Sequence, residues 1–201
     1  MSSKYRLDNS SIYIPGTSIP YNKLGIEDAE TLHLLEGELL KEAYGIFYDE
    51  LAEETKFDES YFQALHRRTF ESLYDWAGRY RTFNMSKGES RFCQGMYVAS
   101  ESKRIFKELE AVDWLRGFSD RNSDEFAKTL AYFQGELIAL HPFYELNGRI
   151  LRLFFDMIAL YNGYEAIDYG DPEEYIDASI ASVQYADTEK LRQIIRRGLK
   201  R

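Results

Sequence analysis

The chain has 201 residues, a net charge of −9 and a single cysteine, which suits one domain that buries its core without metal or disulfide staples. The acidic balance repels phosphate backbones and disfavours general nucleic-acid binding. The lone Cys93 excludes an internal disulfide, no run nears the roughly 18 apolar residues of a membrane span, and Met1 to Arg6 lacks a secretory core, so a soluble cytoplasmic protein with no membrane partner is expected.

Residues 1–25, with Pro15, Gly16, Pro20 and Gly25 among polar neighbours, read as an irregular N-terminal arm. From about Glu27 the pattern turns helical, with Leu32, Leu35, Leu39, Ala43 and Ile46 on one face. Asp58 is a good N-cap for a second helix whose inner face is Phe62, Leu65, Thr69 or Phe70, and Leu73. Between Tyr80 and Val98 the helical period lapses. Aromatic and β-branched residues flank a polar turn at Ser86 to Ser90 centred on Gly88, which predicts a short β-hairpin. A third helix is expected over Ser100 to Trp114. A fourth starts near Ser123 and carries Phe126, Leu130, Phe133, Leu137 and Leu140 as one stripe. It should stop near His141, because Pro142 disfavours helix in the residue before it and lacks a backbone donor.

A fifth helix begins near Gly148 and is apolar almost all round, which marks a buried central helix. Asp171-Pro172-Glu173-Glu174 starts a sixth: an N-cap, Pro at the first position and acids in the first turn. Thr188 caps a seventh. The basic run Arg192 to Arg201 reads as a solvated helix end. The fold class expected is all-α with one small β-hairpin.

The junction of the fourth and fifth helices carries the chemistry. Arg149 and Arg152 open the buried helix three residues apart, hence on one face. Arginine is the wrong sign for a helix N-terminus unless an anion sits there. The first-turn N–H groups also want an acceptor, and Asn147-Gly148 tolerates the left-handed backbone of an anion-binding nest. These features describe a phosphate site. Glu145 in the same loop becomes useful if Mg²⁺ lies between it and the phosphates. His141 is a candidate general base toward a hydroxyl. Each residue has a plainer reading. His141 can cap its own helix, the arginines can pair with acids such as Asp156, Glu145 can be a solvated acid, and Asn-Gly is an ordinary turn. Each plain reading is the better one singly, but together they explain the cluster poorly.

The segment His141-Pro142-Phe143-Tyr144-Glu145-Leu146-Asn147-Gly148-Arg149-Ile150-Leu151-Arg152 resembles the signature of Fic-domain proteins. Eight positions match: His141, Pro142, Phe143, Glu145, Asn147, Gly148, Arg149 and Arg152. Tyr74-Asp75-Trp76-Ala77-Gly78 and Asn84 to Phe92 resemble that family's helix end and flap hairpin, and Tyr21-Asn22-Lys23-Leu24-Gly25 the lead-in of its short bacterial members. The likeness is tightest over residues 58–165 within a domain of residues 26–201. It implies the Fic fold and a protein adenylyltransferase that moves AMP from ATP to a target hydroxyl. His141 would be general base and Glu145 the Mg²⁺ ligand. Asn147, Gly148, Arg149 and Arg152 would bind the ATP phosphates, with Arg152 at the γ-phosphate. Phe143 would anchor the loop, and the flap (Ser86, Lys87, Gly88, Arg91, Phe92) would dock the target.

One position departs. Leu146 stands where the family usually has Gly or Ala. Leucine resists positive φ and adds bulk, so a right-handed backbone there leaves the nest intact and a left-handed one distorts it. Other chemistries on the same fold are AMP removal and phosphoryl transfer. The alternative outside enzymology is a nucleotide-binding or interaction protein.

Many family members carry an inhibitory helix whose Glu pairs with the second motif arginine, here Arg152. The only Glu followed by Gly or Asn is Glu36, which lacks the expected Ser or Thr four residues before it and reads as a solvated charge. A small antitoxin-like protein supplying that Glu in trans is therefore expected. Three histidines and one cysteine give no zinc spacing. His33 and His66 read as structural or surface residues, and Cys93 as no nucleophile.

Overall fold

The computed structural model describes residues 5–7, 12–118 and 122–201. Its elements are β1 (Arg6–Leu7), α1 (Ala29–Asp49), α2 (Glu59–Phe70), β2 (Met85–Lys87), β3 (Ser90–Arg91), α3 (Val98–Ala111), α4 (Ser123–Leu140), α5 (Asn147–Tyr161), α6 (Pro172–Tyr185) and α7 (Glu189–Gly198).

Side-chain caps set three helix starts. Asp28 accepts from Thr31 N at 2.7 Å, Asp58 from Tyr61 N at 2.9 Å, and Asp171 from Glu173 N at 2.8 Å, with Pro172 leading α6. The expected all-round burial of α5 is met: Ile150, Leu153, Phe154, Phe155, Met157, Ile158 and Ala159 are fully buried, each apolar side chain worth about 1.5–3 kcal/mol if large. The helix packs against α1, α2 and α4, which fixes its N-terminus at the centre of the molecule.

Some details differ from the sequence reading. The third helix is shifted, running from Val98 to Ala111. Asp113, Trp114 and Leu115 then take left-handed φ angles of 50°, 50° and 61°, turning the fully buried Leu115 inward. On α1 the inward residue is Phe47, and Ile46 faces solvent. The basic C-terminus is not left to solvent alone. Arg192 pairs with Asp124 and Glu189, Arg197 with Glu174, and Lys200 with Asp168.

The arm is not wholly irregular. β1 pairs antiparallel with β2, Arg6 opposite Ser86 and Leu7 opposite Met85, and β2 pairs with β3. The sheet order is β1-β2-β3. Two residues are too short a run to show alternation, so only the waiting edge of β2 defines the strand. Tyr5, Ile12, Tyr13 and Met85 form a second small apolar cluster, with Phe83, Phe92 and Tyr144 against it. Gly88 takes the turn of the hairpin at φ +56°. Among the described residues no helix is long and apolar enough to cross a membrane.

Candidate active site

Pro142 ends α4, and His141 turns out of it with left-handed φ 45° and ψ 59° while its N–H still donates to Leu137 O. That backbone is costly for a non-glycine residue, so it must be held. Arg81 holds it. Its guanidinium donates to four carbonyls: Nε to His141 at 2.8 Å, one terminal nitrogen to Phe83 at 2.6 Å, and the other to Cys93 at 2.6 Å and Leu140 at 3.0 Å. Arg81 is 1% exposed. Burial pushes its pKa down to about 10, still well above neutrality. One side chain therefore ties the C-terminus of α4 to both ends of the flap. Its sequence neighbourhood gives no sign of this.

The loop beyond is fixed from beneath. Phe143 is fully buried, its ring against Phe62, His66 and Tyr80. His66 is buried as well. Gly78 N donates to its Nδ1 at 3.0 Å, so Nε2 carries the proton and donates to Glu145 O at 3.1 Å. The imidazole is structural, and burial lowers its pKa to about 4. An unfolded histidine titrates near 6.5, so between pH 6.5 and 4 the unfolded chain binds a proton that the folded chain excludes. His66 should remove on the order of 3 kcal/mol of stability as pH falls through that window. Urea midpoints of wild type and His66→Gln, followed from pH 7 to 4, should converge on acidification. Parallel curves would contradict this role.

Asn147 braces the loop. Phe143 N donates to its Oδ1 at 2.8 Å and its Nδ2 donates to Phe143 O at 2.9 Å. The side chain is engaged with the backbone of Phe143, and the residue borders the main cavity. The left-handed residue is Leu146, at φ 65° and ψ 11°, one step before the Asn-Gly pair where it was looked for. Its side chain is 5% exposed and lies with Ile19, Leu32 and Arg149 around a small pocket on the α1 side, not in the main cavity. The positive φ is strained, but the added bulk stays clear of the phosphate side. The N–H groups of Asn147 and Gly148 lack an acceptor among the described residues, as the first amides of a helix do. A Cβ at Gly148 would meet no atom.

These groups border a cavity of about 400 Å³ walled by His141, Asn147, Gly148, Arg152, Tyr5, the flap residues Lys87, Gly88 and Phe92, and an apolar side from Leu137, Ile176, Ile180 and Val183. That size and polarity suit a small ligand. Arg152 lies over the Tyr175 ring, 5.5 Å from its centre. Among the described residues it makes no ion pair. Asp156 instead accepts from Tyr44 Oη at 2.6 Å and Ile167 N at 3.0 Å.

Two further expected site residues, Arg149 and Glu145, are engaged with protein partners and border the small pocket on the α1 side. Arg149 donates to Glu36 Oε2 at 2.9 Å, with its other terminal nitrogen 2.7 Å from His33 Nδ1. It borders the small pocket on the α1 side. Glu36 is thus no solvated charge: it is 8% exposed and also accepts from Tyr74 Oη at 2.6 Å. Glu145 is 4% exposed and accepts from Tyr13 Oη at 2.6 Å. Its negative charge still reaches Tyr5 in the cavity wall.

The flap residues divide. Phe92 stacks on the His141 ring at 3.8 Å and 12°, and its N–H donates to Met85 O. Ser86 pairs with Arg91 in the hairpin, and Ser86 also faces Arg6. The arm adds a residue that motif reading missed: Tyr5 Oη lies 3.1 Å from His141 Nε2, with its ring edge-on to His141. Cys93 is partly buried, which raises its thiol pKa, against nucleophilic use.

A family model described as Fic/DOC family matches residues 56–159. A probable protein adenylyltransferase of Sinorhizobium fredii is 33% identical, the match covering 89% of this chain and 91% of that protein. The protein adenylyltransferase VbhT of Bartonella schoenbuchensis is 35% identical across 98% of this chain and 40% of its own length. The solved structure of BepC from Bartonella tribocorum, with bound AMPPNP, has a TM-score of 0.80 at 23% identity, covering 94% of this chain and 95% of that one.

Proposed function

Since this chain belongs to the Fic/DOC family, we propose that its cavity takes ATP and that it transfers AMP to a hydroxyl side chain of another protein. The protein is an adenylyltransferase with the mainly helical Fic fold. The observation that carries the site assignment is the meeting, on one cavity, of a candidate base, open helix-start amides and a cation: His141, Gly148 and Arg152.

His141 Nε2 accepts the proton of the attacking hydroxyl. The hydroxyl oxygen bonds to the α-phosphorus as the bond to the β-phosphate side breaks, and pyrophosphate leaves. The amides of Asn147 and Gly148 and the α5 dipole receive phosphate oxygens. The Asn147 side chain acts as a brace for that turn, and Phe143 seats it in the core. Arg152 meets the γ-phosphate. Arg149 adds positive charge from behind the turn while Glu36 and His33 hold it. The apolar side of α6 receives the base. The flap, Ser86 to Phe92, registers the target segment by strand pairing, which requires an edge of β2 or β3.

Glu145 would hold Mg²⁺. A single carboxylate fits a Mg²⁺ whose other ligands are nucleotide oxygens and water. Among the described residues no group of three or more His, Cys, Asp or Glu forms a protein cage. When bound, the ion would neutralise phosphate charge, and Tyr13 holds the carboxylate in place. An ATP substrate favours a cytoplasmic setting for the reaction.

Arg152→Ala should weaken ATP binding by roughly ten- to 150-fold, equivalent to about 1.5–3 kcal/mol, and weaken ADP far less. Calorimetric titration of a variant shown to be folded tests this. Equal losses for both nucleotides contradict the γ-phosphate role.

Regulation follows from the same cation. Glu36, the nearest thing to an inhibitory Glu, is engaged with Arg149. A small antitoxin-like protein presenting a Glu to Arg152 beside α1 would block the γ-phosphate position. Expressing the chain alone should arrest growth, and His141→Ala should relieve the arrest. Normal growth with abundant folded wild-type protein contradicts this.

A further inference from the structure

On the reading that Arg152 meets the γ-phosphate, the arginine is held without the use of its hydrogen-bond donors. α5 places Asp156 four residues on, where an Arg–Asp pair would be the ordinary arrangement. Asp156 instead accepts from Tyr44 Oη at 2.6 Å and Ile167 N at 3.0 Å. Among the described residues no hydrogen bond or ion pair holds Arg152, and its guanidinium lies over the face of the Tyr175 ring, 5.5 Å from the centre. An ion pair would have to break before a phosphate could bind. A ring attracts the cation through its quadrupole and leaves the five N–H donors to the anion. The ring is itself fixed. Tyr175 lies in the first turn of α6, is 6% exposed, and borders the cavity with Gly148 and Arg152. Gln134 of α4, fully buried, donates from Nε2 to Tyr175 Oη at 3.1 Å and to Tyr169 Oη at 3.2 Å. The Tyr169 ring packs edge-on to Tyr175 at 5.0 Å and 71°.

We propose that Tyr175 is a positioning residue for the terminal phosphate. Its ring orders the Arg152 guanidinium before the nucleotide arrives, and so sets the preference for a nucleoside triphosphate over a diphosphate. A free arginine side chain samples many rotamers, and ordering it on binding would weaken the contact it makes. Stacked on a ring that Gln134 and Tyr169 keep in place, Arg152 has already met most of that cost. Tyr175 acts through Arg152 and needs no contact with the phosphate. The competing role for an aromatic residue in this wall is direct packing against the nucleoside, which every adenine nucleotide would feel equally.

ATP, ADP and AMP are titrated by calorimetry into the full chain as wild type, Tyr175→Leu, Tyr175→Phe, Arg152→Ala and the double variant of Tyr175→Leu with Arg152→Ala, each shown to be folded by a thermal melt. Tyr175→Leu should weaken ATP by roughly two- to 30-fold and ADP and AMP far less. Tyr175→Phe, which keeps the ring, should retain most of the preference for ATP. In the Arg152→Ala background Tyr175→Leu should lower the ATP-to-ADP ratio no further. Equal losses for the three nucleotides in Tyr175→Leu, or a further fall of the ratio in the double variant, overturns the positioning role. So does a ratio that Arg152→Ala abolishes and Tyr175→Leu leaves intact, with the γ-phosphate reading of Arg152 still standing. A ratio unchanged in Arg152→Ala sinks that reading, and the positioning role falls with it. Unaltered protein supplies an independent check should Tyr175→Leu not fold. NMR relaxation of the Arg152 Nε–H, assigned by its loss in Arg152→Ala, should show a side chain nearly as ordered as the backbone before any nucleotide is added. An Arg152 as mobile as the exposed arginines overturns the proposal.

Discussion

His141→Ala lowers AMP transfer by about 10²- to 10⁴-fold while ATP binding stays nearly intact. The expectation rests on position. His141 lies past the end of α4, its backbone fixed by Arg81 and its ring by Phe92, and Nε2 already meets a hydroxyl, that of Tyr5. The loop is held to the core by other residues. Phe143, His66 and Asn147 do that work. Removing the imidazole should therefore take away proton acceptance and leave the cavity. The check is paired: single-turnover transfer and calorimetric ATP binding on the same preparation. Equal losses in both would make His141 a structural residue.

Arg81→Met should be among the most destabilising single substitutions in this chain. Methionine keeps the apolar stem but supplies no donor, leaving the carbonyls of Phe83, Cys93, Leu140 and His141 without their guanidinium. Each buried polar group left unsatisfied costs about 1–3 kcal/mol. With partial relaxation the total should reach about 3–5 kcal/mol, the range seen when a buried charged group's interactions are broken. That corresponds to a melting point lower by roughly 10 °C for a chain of this size. Arg81→Lys should recover only part, since one ammonium cannot reach four carbonyls on separate segments. Thermal melts of the three proteins decide it. A loss under about 1 kcal/mol for Arg81→Met would show that water replaces the clamp without cost.

The helices were legible because burial of one face imposes a period, and caps such as Asp58 and Asp171 act within three residues. The loop from His141 to Arg152 was legible because its unusual charges crowd one helix start. The features that were hard to read join residues far apart in sequence. Tyr13 reaches Glu145 across 132 positions, Tyr5 reaches His141 across 136, and Glu36 reaches Arg149 across 113. Nothing local marks those partners. Glu36 looked like surface charge because a single carboxylate on α1 carries no sign that Tyr74 and Arg149 will close over it. Arg81 was silent for a related reason, since its four acceptors are backbone carbonyls that any sequence provides. Leu146 is of a type that resists positive φ. The surrounding packing nevertheless holds it at 65°, with its side chain buried toward α1.

The central claim is that the α-phosphorus of ATP, and not the γ, ends on protein. It is tested by giving wild-type and His141→Ala enzyme either α-labelled or γ-labelled ATP with Mg²⁺ and cell lysate, then separating the proteins. The account predicts protein label from the α-position only, in wild type, with pyrophosphate released in step and label nearly absent in His141→Ala. Label from the γ-position on protein, or α-label undiminished in His141→Ala, would contradict it.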